Sequence, residues 1–229
     1  MTSSNFFQPL LREKQQELDF QDLQGLWQIN WKIRNVTLYS GFYTRIDRVF
    51  IIWGAIAATI FTTAQFFPIS WVTQAIVWSG LTLVGTVSMV SLAWFWVSVE
   101  RLRWLIYCWA ILMLTGVALT DCGIFLGWGV VLLHLCPLWL GLSGVGYLCT
   151  SLGLRSRALF VTGLIHLLGI FVLPYVGAWQ FLATGSAIGF SLWLLAQLQW
   201  DMRLPIEYAL LTPEQKQFNQ QQHQCRQLV

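Results

Sequence analysis

From Val49 to Val99 the chain carries no Asp, Glu, Lys or Arg, and from Ala158 to Trp200 it again carries none. No soluble fold can cover uncharged, mostly apolar stretches of that length with polar surface. Only 10% of the 229 residues are charged and 56% are apolar, against about 25% charged in ordinary soluble domains. The solvent for most of this chain is lipid.

Six apolar runs can be read. They span about Val49 to Phe67 (ended by Pro68), Val72 to Ser98, Trp104 to Thr120, Ile124 to Gly153, Ala158 to Pro174, and Trp179 to Trp200. A helix needs about 20 residues to cross the hydrocarbon layer. The third and fifth runs are slightly short. The fourth is long, and Pro137 offers a kink because it removes a backbone donor. The runs lack the alternation of a barrel wall. Asp121 falls in the short break between the third and fourth runs. The fold class expected is an all-α integral membrane protein, a six-transmembrane-helix bundle built as three serial hairpins.

Orientation follows from the thirteen Lys and Arg residues. Arg12, Lys14, Lys32, Arg34, Arg45 and Arg48 precede the first run. Arg101 and Arg103 lie between the second and third, and Arg155 and Arg157 between the fourth and fifth. Arg203, Lys216 and Arg226 follow the last. The other three loops have none, so the basic side is the cytoplasm and both termini are expected there. The net charge of +3 serves topology and does not point to nucleic acid. Residues 1–15 lack the regions of a cleavable signal peptide, so the first run is expected to act as an uncleaved anchor. These features suit a prokaryotic inner (plasma) or thylakoid-type membrane.

Three parts are expected. Residues 1–48 form a cytoplasmic head. Its segment Pro9 to Trp27 has roughly helical apolar spacing, suited to an amphipathic helix on the membrane surface or to packing on the bundle ends. Residues 49–200 form the six-helix domain. Residues 201–229 form a Gln-rich cytoplasmic tail, where Thr212, Pro213 and Glu214 read as a helix start. The sequon Asn35-Val36-Thr37 is discounted as cytoplasmic. Cys108, Cys122, Cys136, Cys149 and Cys225 show no metal or disulfide spacing.

No span holds a charged residue, which argues against ion pumps and coupled transporters. Two intramembrane histidines remain, His134 and His166. On sequential antiparallel helices they fall at matching depth, about 12–15 Å below the outer boundary at 1.5 Å per residue. They are the candidate ligands for a tetrapyrrole, haem or chlorophyll. Fourteen Trp are present. Trp71, Trp128 and Trp179 sit at the outer boundary and Trp96, Trp104 and Trp200 near the inner one. Trp53, Trp78, Trp94, Trp109, Trp139 and Trp193 lie deeper, where they could line a site for a pigment, quinone or lipid. The pairs Gly123 with Gly127 and Gly185 with Gly189 form GxxxG motifs for close helix packing, and Gly141 and Gly144 add to them.

The segment Gly141-Leu142-Ser143-Gly144 resembles the GxSG nucleophile segment of rhomboid intramembrane proteases. That resemblance implies Ser143 as nucleophile, His166 as its base, and His134 in the place of the upstream His of the oxyanion site. Leu138 stands where the family has Asn, and the match covers under ten residues.

The sequence reads best as a non-enzymatic accessory, assembly or scaffold subunit, with the lipid bilayer and other membrane-protein subunits as partners. The alternatives are a tetrapyrrole- or apolar-ligand-binding protein, a facilitator of a neutral or apolar solute, and a rhomboid-like serine hydrolase.

Overall fold

The computed structural model describes residues 9–33, 36–202 and 210–228. Arg34, Asn35 of the sequon, and Arg203 lie outside them. Strand β1 (Leu11–Arg12) and a single turn, α1 (Phe20–Leu23), precede a hairpin of β2 (Trp27–Ile33) and β3 (Val36–Tyr43). Helices α2 (Arg45–Phe66), α3 (Trp71–Val99) and α4 (Arg103–Phe125) follow. Then come the short α5 (Gly129–Leu133), α6 (Leu135–Leu154) and α7 (Arg157–Val172). A 3-10 segment, Leu173–Trp179, leads into α8 (Gln180–Gln197), strand β4 (Gln199–Trp200) and the terminal α9 (Pro213–Leu228).

Local chemistry sets the helix ends. Thr44 and Asp47 form a capping box at the start of α2: Asp47 N donates to Thr44 Oγ1 (3.2 Å) and Thr44 N to Asp47 Oδ2 (2.7 Å). Ser70 caps α3 and Ser156 caps α7. Arg101 and Arg155 take left-handed backbone conformations in the two tight turns α3–α4 and α6–α7. The tail helix begins where Thr212 and Pro213 place it, with Thr212 and Gln215 bonded reciprocally.

Among the described residues, five stretches are long and apolar enough to cross a membrane: Arg45–Phe66, Trp71–Val99, Arg103–Phe125, Leu135–Leu154 and Arg157–Gln197. The last is not one rod. Gly177 leaves the helical region (φ 56°, ψ −122°), and the far ends of α7 and α8 meet. Asp201, just past α8, accepts from Ser156, Arg157 and Ala158 at the start of α7. The two helices are therefore antiparallel.

α2 packs on α3 and α8, α3 on α4, α4 on α6, and α6 on α8, closing a ring of five helices. α7 packs against α6 and α8, and its Leu159 reaches the bundle interior. The outer surface is apolar: Ile76, Val87, Ile111, Leu152 and Phe171 are each more than 60% exposed. Such a surface in water would aggregate, and in lipid it is solvated.

Several expectations need correction. The helix across Pro9–Trp27 shrinks to one turn. Its irregular apolar spacing loses to tertiary contacts, with Leu11 pairing opposite Trp200 and Phe20 packing on Val99 and Leu211. The described residues are still mostly helical, as an all-α membrane bundle requires, with two small antiparallel ladders beside the helices. Asp121 lies within α4 and accepts from Ser79 on α3 at 2.9 Å. The long fourth run divides at His134, between α5 and α6. Pro137 makes no kink, because it falls in the first turn of α6, where its missing N–H costs nothing.

Candidate functional site

The helices line a half-open apolar chamber of about 150 Å³. Its wall includes Trp53 of α2, Met89 and Trp96 of α3, Trp109 of α4, and Trp139 and Tyr147 of α6. Three of these indoles are seated on glycines of a neighbouring helix. A Cβ on Gly85 would stand 3.1 Å from the Trp53 ring, one on Gly116 2.8 Å from Trp139, and one on Gly146 2.5 Å from Trp109. Only a residue without a side chain leaves room for a Trp there. The indole N–H of Trp109 donates to Thr150 Oγ1 (2.9 Å) and that of Trp139 to Thr120 Oγ1 (3.3 Å). The polar tips are thereby satisfied and the rings present apolar faces. An apolar lining of this kind suits an apolar guest.

At the end of the bundle that carries the head, the chamber wall is tied to residues 19–22. Trp96 Nε1 donates to Asp22 Oδ1 at 2.9 Å. Beside it Gln21 donates to Glu100 (3.2 Å), and Asn219 of α9 donates to Gln21 (3.1 Å). Asp19 accepts from His223 (3.0 Å) and from Arg226 of the same helix. Burial, reinforced by the nearby Asp19 and Glu100 carboxylates, pushes the Asp22 carboxyl up to about 7; the Trp96 bond and Arg226 pull the other way. Trp200, opposite Leu11 in the β1–β4 ladder, also lines the chamber. The head and tail are thus bonded to this end. No motif announces those contacts, because single polar residues in a Gln-rich tail carry no signature.

The structure separates the residues singled out from sequence. His134 is exposed at the α5–α6 break, with Nδ1 2.7 Å from the Val130 carbonyl. His166 is wholly buried on α7, where Nδ1–H donates to the Thr162 carbonyl (2.8 Å) and the ring lies 5.0 Å from Tyr147. His134 thus sits at the surface just ahead of α6, and His166 sits inside the bundle. The break at His134 places it just ahead of the span Leu135–Leu154 and not in the middle of one. Ser143 lines the chamber. His166 Nε2 has no hydrogen-bond partner and its Nδ1 serves Thr162, so neither nitrogen is bonded to Ser143. Among the described residues no group of three or more His, Cys, Asp or Glu could hold a metal.

The expected packing glycines divide. A Cβ on Gly144 would meet Leu167 at 2.9 Å, one on Gly185 would meet Phe61 at 2.5 Å, and one on Gly123 would meet Val131 at 3.0 Å. Gly141 and Gly189 have ordinary room, at 3.7 Å and 3.9 Å. Gly127 faces open space in the turn after α4, with φ +69°, so its glycine serves the turn and not a helix contact. Of the six deeper Trp, Trp53, Trp109 and Trp139 line the chamber. Trp78 is buried with its N–H on Thr63, and Trp94 and Trp193 are exposed on the outer surface. Comparison with family models, with curated proteins and with solved structures finds no match for this chain.

Proposed function

We propose that this chain is a six-span membrane protein that holds one slender apolar chain, of acyl or isoprenoid type, in its central chamber. It acts as a non-enzymatic binding or accessory subunit. The observation that carries the reading is the chamber itself, walled by indoles seated on glycines and tied to the head through Trp96 and Asp22. The antiparallel α7 and α8 support counting six spans. The Arg and Lys clustered in the head, in the α3–α4 and α6–α7 turns and in the tail support placing that end in the cytoplasm.

The test is lipid analysis of the full chain extracted in mild detergent. Native mass spectrometry should find a stoichiometric chain-bearing lipid. Ala93→Phe, which fills the chamber, should lose it, and Leu152→Phe on the outer surface should keep it. Equal lipid content in all three would reject the binding reading and leave a purely structural subunit.

A further inference from the structure

The hairpin β2–β3 carries Trp27, Ile29 and Trp31 at alternate positions, hence on one face of β2. The exposure of Trp27 is 59% and that of Trp31 is 68%, the largest of any Trp among the described residues. Exposed Trp pairs are unusual on a surface that meets only water. The base of the hairpin is fixed close to the first apolar helix. Only Thr44 separates β3 from α2. The Arg48 guanidinium, in the first turn of α2, lies over the Trp27 ring at 5.9 Å and donates to the Gly25 carbonyl at 3.1 Å. Trp27 therefore stands at the level where the membrane-length helix begins. Arg45 lies against Gly25 beside Arg48, and Lys32 follows Trp31 at a bulge. None of these three cations has an anionic partner among the described residues. Aromatic rings with cations at the start of a span are what the headgroup layer favours.

We propose that the β2–β3 hairpin docks on the lipid leaflet at the head end, with Trp27 and Trp31 in the headgroup layer and Lys32, Arg45 and Arg48 facing anionic headgroups. The alternation puts both rings on the same side, and four residues of strand separate them by about 13 Å. A hairpin lying along the leaflet keeps both at one depth; one standing upright carries Trp31 out into water.

The inference rests on the membrane reading, and its test separates the two. The full chain, grown with 5-fluorotryptophan, is placed in nanodiscs of zwitterionic lipid with and without anionic lipid. The 19F signals of Trp27, Trp31 and Trp193 are assigned by single Trp→Phe variants. They are then exposed to a lipid carrying a nitroxide near its headgroup, or to a water-soluble gadolinium chelate. The expected result is loss of the Trp27 and Trp31 signals with the nitroxide lipid and their survival with the chelate. Lys32→Glu with Arg45→Glu should remove the added effect of anionic lipid. Loss of the Trp31 signal to the chelate would overturn the proposal, as would shielding from both agents, which would mean a protein covers the hairpin. Trp193, on the outer surface of α8, reports on the membrane reading itself. If the nitroxide lipid reaches Trp193 and not Trp31, the docking fails alone; if it reaches neither, the membrane reading fails.

Discussion

Trp96 and Asp22, separated by 74 positions in the chain, are joined by a 2.9 Å hydrogen bond from indole to carboxyl. One partner belongs to the wall of an apolar chamber and the other to the head that covers it. The bond converts a packing position into a latch between two parts of the protein that the sequence keeps apart.

That latch is expected to be pH-dependent. The Asp22 carboxyl stands at about 7 in the folded chain against 3.8 ordinarily, so the folded state binds the extra proton between those values. As far as this group goes, stability is greatest below about 4, falls as pH rises between about 4 and 7, and is lowest above 7. Asp22→Asn keeps an acceptor for Trp96 and carries no charge. It should raise stability at pH 8 by about 1–2 kcal/mol and flatten the slope between pH 4 and 7. Trp96→Phe leaves a carboxylate without its donor and should cost about 1–3 kcal/mol at pH 8. Thermal unfolding of the full chain in detergent, from pH 5 to 8, reads both. An unchanged slope in Asp22→Asn would reject the assignment.

Asp201 shows the opposite behaviour. Burial pushes its carboxyl up, but donors from Ala158, Arg157 and Ser156 outweigh this and hold it below the usual carboxylate value. Its contribution is present above the ordinary value near 3.8 and is lost as pH falls through the lower folded value. Asp201→Ala removes the acceptor for the start of α7 and should cost about 2–4 kcal/mol at neutral pH. It should also blunt the loss of stability below pH about 4. Hydrogen exchange across residues 156–160 would rise in the same variant; unchanged protection there would count against the role of Asp201.

The seat of Trp109 on Gly146 predicts strong coupling. Gly146→Ala sets a methyl about 2.5 Å from the indole and should cost about 1–3 kcal/mol by overpacking. Trp109→Leu leaves a void and loses the Thr150 bond, so it too destabilises. The double variant should be less destabilised than the sum of the two, by at least about 0.5 kcal/mol. Gly141→Ala, with ordinary room beside Ile170, should be near neutral. A double-variant cycle by detergent-solubilised melting checks this, and strict additivity would contradict the contact.

Much of the architecture was legible because lipid imposes a coarse rule. A chain without charges from Val49 to Val99 has to bury its backbone polar groups in helices. Pro68 ends the first helix, and Thr212 with Pro213 starts the last. The segment of the head was not legible, since weak helical spacing from Pro9 to Trp27 competed with sheet pairing to a strand nearly two hundred residues away. The break at His134 was not legible either, since the apolar run continues across it from Ile124 to Gly153.

The sequence by itself determined the long apolar helices and the side of the bundle that gathers the cations. Charge and apolarity along the chain are one-dimensional quantities, and desolvating them costs enough to dictate both. The tertiary structure alone decided which tryptophans turn inward, that His166 is wholly buried beside Tyr147, and that Asp22 meets Trp96. In a helix apolar on every side no periodic stripe marks the inner face. That choice falls to the shapes of neighbouring helices, such as the glycines that seat Trp53, Trp109 and Trp139.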